Sequence, residues 1–214
     1  MRRFIGTTVL AVLLAAWPAS AQYSGWSEYK PQSTLFTVGY QMSQPVGSFH
    51  DYISSSSFRG FTFDWRSMLK QNFSAGLRFN WNRYDQSESL VTTTNTTNNR
   101  TTSGPTYHYA DQFAIQAVGH FYFDTGPSIF TPYLGVGLGG VWNSSYQQTI
   151  DLANAQNGFY FITTPELGLI INFAKGRTTA ALNLSVLYNF TTAGFAGVSN
   201  ASALTETIGV TVSY

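Results

Sequence analysis

Leu204-Thr205-Glu206-Thr207-Ile208-Gly209-Val210-Thr211-Val212-Ser213-Tyr214 is the stretch on which the fold turns. Taken every second residue, Leu204, Ile208, Val210, Val212 and Tyr214 share one face, with Glu206 as the single charged intruder. Thr205, Thr207, Gly209, Thr211 and Ser213 share the other. Alternate side chains of a strand point to opposite faces, so this is a strand with one apolar and one polar side. Its backbone groups need a neighbour on each edge, and the rest of the chain must supply them.

The same alternation recurs seven times upstream. Phe36, Val38, Tyr40 and Met42 share a face in 33–42, and Phe61, Phe63 and Trp65 in 58–68. Phe73, Ala75, Leu77, Phe79 and Trp81 oppose Ser74, Gly76, Arg78, Asn80 and Asn82 in 72–84. Phe113, Ile115, Ala117, Phe121 and Phe123 oppose Gln112, Gln116, His120 and Tyr122 in 109–123. Leu134, Val136, Leu138 and Trp142 oppose Gly135, Gly137 and Gly139 in 132–142. The segments 159–173 and 178–190 repeat the pattern around Leu167 and Leu184. Between strands, long polar segments (43–57, 85–108, 143–158 and 191–201) alternate with short turns near 69–71, 124–131 and 174–177. The Thr- and Asn-rich segment 85–108 reads as a mobile loop. Eight such strands in sequence predict an all-β fold: an eight-stranded antiparallel up-and-down transmembrane β-barrel.

Composition argues the same way. Only 10% of residues are charged, far below the ~25% of an ordinary soluble domain, while 16% are aromatic. A soluble barrel would carry abundant Lys and Glu outside; here the polar face is Thr, Ser, Asn, Gln and Gly. Aromatic residues gather at the strand ends of the apolar face. Trp65, Phe73, Phe123, Phe173 and Tyr214 lie at the turn side, and Tyr40, Trp81, Trp142, Phe161 and Phe190 at the loop side. Two such groups form interfacial girdles in membrane barrels. Cysteine is absent, which excludes disulfides and thiolate chemistry.

Residues 1–21 read as a signal peptide. Arg2 and Arg3 precede an apolar stretch at 9–16, and Ala19-Ser20-Ala21 has the small-x-small form of a cleavage site, with Ala19 and Ala21 as the small residues. Residues 22–32 are expected to be a periplasmic N-terminal tail, and 33–214 the barrel. Removing Arg2 and Arg3 leaves nine Lys/Arg against ten Asp/Glu. With no basic patch, a nucleic-acid partner is not expected.

Four charges fall on the polar face: Asp64, Arg66, Arg78 and Glu166. Two of each sign in a narrow lumen predict a paired network that plugs the barrel, since isolated buried charge is costly. The alternative is a gate whose pairs exchange partners. Gln112, Gln116, His120 and Tyr122 are the expected polar lumen residues, with the glycines at 135, 137 and 139 leaving room on one wall for long residues such as Arg78, Tyr122 or Glu166. His50-Asp51 is the only adjacent His–acid pair, and it lies in a Ser-rich loop without the held geometry that catalysis needs. No catalytic, cofactor or metal site is expected. Arg83, towards the loop side of the lipid-facing row, is placed to meet lipopolysaccharide phosphates or to snorkel.

The chain resembles the small eight-stranded outer-membrane barrels of outer-membrane protein A, X and W type, over essentially all of 22–214. Thr207-Ile208-Gly209-Val210-Thr211-Val212-Ser213-Tyr214 is similar to the family's assembly signal, with Thr207, Gly209, Val212 and Tyr214 at its marked positions and Tyr where Phe is commoner. Thr131-Pro132-Tyr133-Leu134-Gly135-Val136-Gly137-Leu138-Gly139 is also similar to strands of this family. The resemblance implies a monomer in the cell outer membrane of a Gram-negative bacterium. Its implied partners are lipid, lipopolysaccharide, the barrel-assembly machinery and an extracellular ligand at the loops. The role expected is structural or surface-interacting and non-enzymatic. The rival is a small pore or conduit for small hydrophobic solutes, and a lipid A-modifying enzyme ranks below both.

Overall fold

The computed structural model describes residues 33–95, 100–123, 129–149, 152–173, 179–195 and 197–214. The expected signal peptide and tail, with Ala19 and Ala21, lie outside the described residues. The strands are β1 (Thr34–Pro45), β2 (Ser57–Lys70), β3 (Phe73–Asn95), β4 (Arg100–Tyr122), β5 (Phe130–Thr149), β6 (Leu152–Asn172), β7 (Thr179–Thr191) and β8 (Ala203–Ser213). Among the described residues one short helix, α1 (Ser48–Tyr52), interrupts the first loop. Each strand pairs antiparallel with the next, and β8 pairs with β1, so the sheet closes. Among the described residues no helix is long and apolar enough to cross a membrane.

The closing strand behaves as its alternation requires. Thr205, Thr207, Thr211 and Ser213 are buried in the lumen, while Ile208, Val210 and Tyr214 are exposed outside. It lies against β1 with Val38 opposite Val210, and against β7 with Leu182 opposite Val210. Directly paired residues lead from Leu35 through Arg66, Gly76, Val118 and Gly137 to Thr164, and from Asn189 on the neighbouring strand through Ala203 back to β1 at Pro45. The chain is therefore staggered between Leu35 and Pro45 on one circuit, which for eight strands sets a tilt of roughly 40°. Between Thr164 and Asn189, and between Pro165 and Tyr188, the backbone pairing lapses. Pro165 has no backbone N–H to donate, and the β6–β7 register skips from Thr163–Phe190 to Glu166–Leu187. The side chains of Thr164 and Asn189, 3.0 Å apart, bridge the gap.

The outer face is apolar between two aromatic rows. Trp65, Phe73, Phe123, Phe173 and Tyr214 are exposed at the turn end, and Tyr40, Trp142, Phe161 and Phe190 at the loop end, where Trp81 is half-buried. Phe61, Trp81, Phe113, Trp142 and Phe159 lie directly opposite one another from strand to strand. On β4 the run from Phe113 to Phe123, at ~3.3 Å per residue and this tilt, is about 25 Å tall.

Two expected loops are largely strand. Residues 85–95 and 100–108 continue β3 and β4 as a paired hairpin, and 143–149 and 152–158 do the same for β5 and β6. The reason is physical: Thr and Val suit an extended backbone, and cross-strand hydroxyls such as Thr92 and Ser103, 2.9 Å apart, support the ladder. The side turned toward the barrel axis is polar where it is buried, at Thr106, His108 and Ser145, so the extension shows no apolar alternation. The segment 191–201 does remain irregular, with one isolated bridge between Phe195 and Val198.

The loop end is closed by a lid. Phe49 and Ile53 of α1 and its flank pack with Ala193, Phe195, Val198 and Ala201 of the last loop, over Tyr84 and Ala110 of the wall. The Ser48 hydroxyl lies 3.1 Å from that of Ser199 and accepts a bond from the Ser199 backbone N–H, joining the two loops. Gln86 Oε1 accepts from the backbone N–H of Ser54 at 2.5 Å, tying the helix to β3.

Candidate functional site

The barrel interior is stacked in layers. At the turn end lies an apolar layer of Leu35, Met68, Tyr122, Tyr133, Ile170 and Ala181. Above it sit the charges. Arg78 donates from Nε to Asp64 Oδ1 and from Nη2 to Asp64 Oδ2, both at 2.8 Å, a bidentate fork. The same Nη2 donates to Glu166 Oε2 at 2.5 Å. Arg66 donates to the Thr37 hydroxyl at 2.7 Å and to the Tyr122 hydroxyl at 3.2 Å, with its Nε 3.9 Å from Asp64 Oδ2. The structure thus brings Asp64, Arg66, Arg78 and Glu166 into one cluster. All four are buried, and their formal charges cancel.

Parity placed residues in the lumen but did not say which of them meet the charges. His120 Nε2 lies 2.9 Å from Glu166 Oε2, and the Tyr133 hydroxyl lies 2.8 Å from Glu166 Oε1 and 2.9 Å from Asn183 Oδ1. Thr37 anchors Arg66. His120 was expected in the lumen, but nothing in its spacing signalled Glu166, 46 residues away. The signal was Gly135. A Cβ there would stand 2.6 Å from His120 Cδ2 and 3.1 Å from Glu166 Oε2, so only glycine lets the two side chains meet. Gly137 gives Gln116 its space in the same way. Room on this wall is used by His120, Glu166 and Gln116, whereas Tyr122 lies elsewhere, against Ser74 and Arg66.

Above the charges runs a circuit of neutral hydrogen bonds. Gln116 donates to Thr164 at 2.6 Å, Thr164 to Asn189 at 3.0 Å, and Asn189 to Thr205 at 2.9 Å. Thr205 and Ser43 share a bond at 2.7 Å, Ser43 donates to Asn82, Asn82 to Gln41, and Gln41 to Thr207. The circuit spans β4, β6, β7, β8, β1 and β3, so it ties strands across the lumen that the ladder does not join directly. Gln112 stands higher and donates to the Ala201 carbonyl at 3.0 Å, fastening the lid to the wall.

Outside the spanning part, His108 faces the lid. Its ring packs edge-on against Tyr52 at 4.6 Å. Burial lowers the His108 pKa, opposed by the nearby Glu88 carboxylate, and burial raises that of Tyr52. His50 and Asp51 lie in α1 and are exposed. No grouping of three or more His, Cys, Asp or Glu suited to a metal occurs among the described residues. Arg83 faces outward at the loop end and pairs with Asp111 at 3.4 Å. In the terminal segment, Thr207 lies in the lumen, Gly209 faces Gly39 across the β1–β8 seam, and Val212 and Tyr214 point outward.

Neither a protein-family model nor a curated protein sequence matches the chain. Solved structures do. The chain is similar to Ail, the attachment invasion locus protein of Yersinia pestis, with a TM-score of 0.53 at 11% identity, over 86% of this chain and 100% of that one. Ail in complex with the heparin analogue sucrose octasulfate gives 0.52 at 12% identity and the same coverage. The outer membrane protein OprG from Pseudomonas aeruginosa gives 0.48 at 14% identity, over 89% and 99%. At these identities the likeness is one of fold: this is a small eight-stranded barrel of the kind found among outer-membrane proteins.

Proposed function

We propose that this chain is an integral outer-membrane protein with a sealed lumen, non-enzymatic, whose work is done by the surface it raises on the outer side. The observation that supports the reading is the stacked interior. An apolar layer at the turn end, a charge-neutral network and a hydrogen-bonded circuit lie beneath a lid of Phe49, Ile53, Phe195 and Val198. An eight-stranded barrel is just wide enough for its own side chains to fill. The apolar band of about 25 Å with aromatic rows at both rims suits a bilayer, and the expected signal peptide suits export. The long hairpins then face the medium and the short turns the periplasm. Loop-borne ligands and assembly by the barrel machinery, through Thr207, Gly209, Val212 and Tyr214, belong to the same proposal.

Planar-bilayer recording of the purified protein tests it. No stable open channel is expected. A steady conductance that Arg78→Ala or Glu166→Ala abolishes or reshapes would replace the sealed barrel with a gated pore, the rival reading. A change in lipid A acylation that depends on His50, seen by mass spectrometry, would instead make it an enzyme.

A further inference from the structure

The outer face of β3, β4 and β5 carries a second aromatic tier above the membrane girdle. Trp81, Phe113 and Trp142 form the girdle there, directly opposite one another. The next outward row is polar: Arg83, Asp111, Ser144 and Asn157, again in direct register. Above that row Tyr109 stands opposite Tyr146, with Tyr107 one outward step higher on β4, opposite Gln148. Tyr107 and Tyr146 are exposed and Tyr109 is half-buried. The four-residue step from Phe113 to Tyr109, at the strand rise and tilt of this barrel, lifts the tier about 10 Å above the girdle. That is too high for rings that only mark the hydrocarbon boundary.

The polar row between the tiers holds cations. Arg83 pairs with Asp111 at 3.4 Å, and Arg59 on β2 pairs with Asp85 at 3.3 Å. Both arginine side chains are exposed, 61% for Arg59 and 43% for Arg83, although Arg83 Nε is itself buried. A guanidinium has five N–H donors and one carboxylate takes at most two, so each keeps donors for a phosphate. From below upward the face therefore offers apolar surface, then phosphate-binding donors, then tyrosine rings flanked by Asp85, Ser87 and Gln148, the Asp85 carboxylate being taken up by Arg59. An outer-leaflet glycolipid presents acyl chains, phosphates and sugars in that same order. Aromatic faces stack on sugar rings, and neighbouring amides and hydroxyls bond their edges.

We propose that this face binds lipopolysaccharide, with Arg59 and Arg83 on its phosphates and Tyr107, Tyr109 and Tyr146 on its core sugars. The proposal rests on the outer-membrane reading above, and its chemistry is saccharide recognition by a strand face that continues the lipid-facing surface. The protein refolded in detergent is titrated with lipopolysaccharide carrying its core oligosaccharide, with lipid A alone, and with phosphatidylglycerol. Binding is read by native mass spectrometry. Core-bearing lipopolysaccharide is expected to bind most tightly. Tyr109→Ser with Tyr146→Ser should weaken it about tenfold and leave lipid A unchanged, while Arg83→Gln should weaken both and flatten their salt dependence. If the double variant does not refold, Tyr107→Ser alone carries the sugar test. Equal affinity for the ligands with and without core, or a core preference that survives the tyrosine variants, overturns the proposal. Fractionation of cells decides the location separately. A protein in the outer membrane without core preference refutes only this inference, and one absent from that membrane refutes the reading beneath it.

Discussion

Arg78 is the residue on which the lumen balances, because it alone bonds both carboxylates. Removing it leaves Asp64 and Glu166 facing each other with Arg66 as the remaining guanidinium, and breaking a buried pair costs about 3–5 kcal/mol. Arg78→Ala should lower the urea midpoint of the refolded barrel accordingly, and adding Glu166→Gln should restore part of the loss. Gly135 makes a finer test. Gly135→Ala places a methyl 2.6 Å from the His120 ring, and overpacking of that kind costs about 1–3 kcal/mol. Gly137→Ala meets only the end of Gln116, nearest atom 3.1 Å away, and should cost less in the same titration. The four charges were legible in the sequence because parity alone assigns them to the lumen. Tyr133, Leu35, Met68 and Ile170 were not, since their contacts run across the barrel between residues remote in sequence. An apolar residue on a mostly polar face carries no mark of that.

At the scale of the element, β8 holds the ring shut. Val212 pairs with Phe36 and Ala180, Ser213 with Leu35 and Thr179, and Tyr214 exchanges two backbone bonds with Thr34 at 3.0 and 3.1 Å. The Tyr214 ring meets Phe36 edge-on at 6.0 Å. Deleting 212–214 would open both neighbours of β8 at the turn-side rim and expose unpaired backbone to hydrocarbon. The truncated protein is expected to be lost from outer membranes, measured as absence of the heat-modifiable band. Normal heat-modifiable folding of the truncated chain there would contradict this role for the segment. The alternation of this strand was readable at once. The upper ends of β3 to β6 were not, because their inward residues, such as Thr106, His108 and Ser145, are polar and leave no apolar period to betray the strand.

The whole molecule is asymmetric: four strands rise well past the aromatic row and four stop near it. The hairpin of β3 and β4 tests that orientation. Arg100 is the one Lys or Arg between Arg83 and Lys175, and it begins β4 at the far end of the hairpin. Trypsin added to intact cells should cut after Arg100, giving a fragment that starts at Thr101, and should spare Lys175 and Arg177 between β6 and β7. Cleavage at those two with Arg100 intact would invert the topology. The lid was also hidden in the sequence. Its two halves, near Phe49 and Phe195, are brought together only by the closure that joins β1 to β8.

That closure has a further consequence. Thr34 and Tyr214 are bonded neighbours on one rim, and a hydrogen-bonded ring has no privileged starting strand. A circular permutant, with a short peptide joining 214 to 34 and new ends opened between Asn95 and Arg100, would keep every rung of the ladder. It should refold in detergent with nearly native stability. On the proposed reading of 207–214 as an assembly signal, the permutant, carrying Tyr214 in mid-chain, is expected not to assemble in the cell. The place of the ends would then be a matter of delivery, separable by experiment from the energetics that hold the finished barrel together.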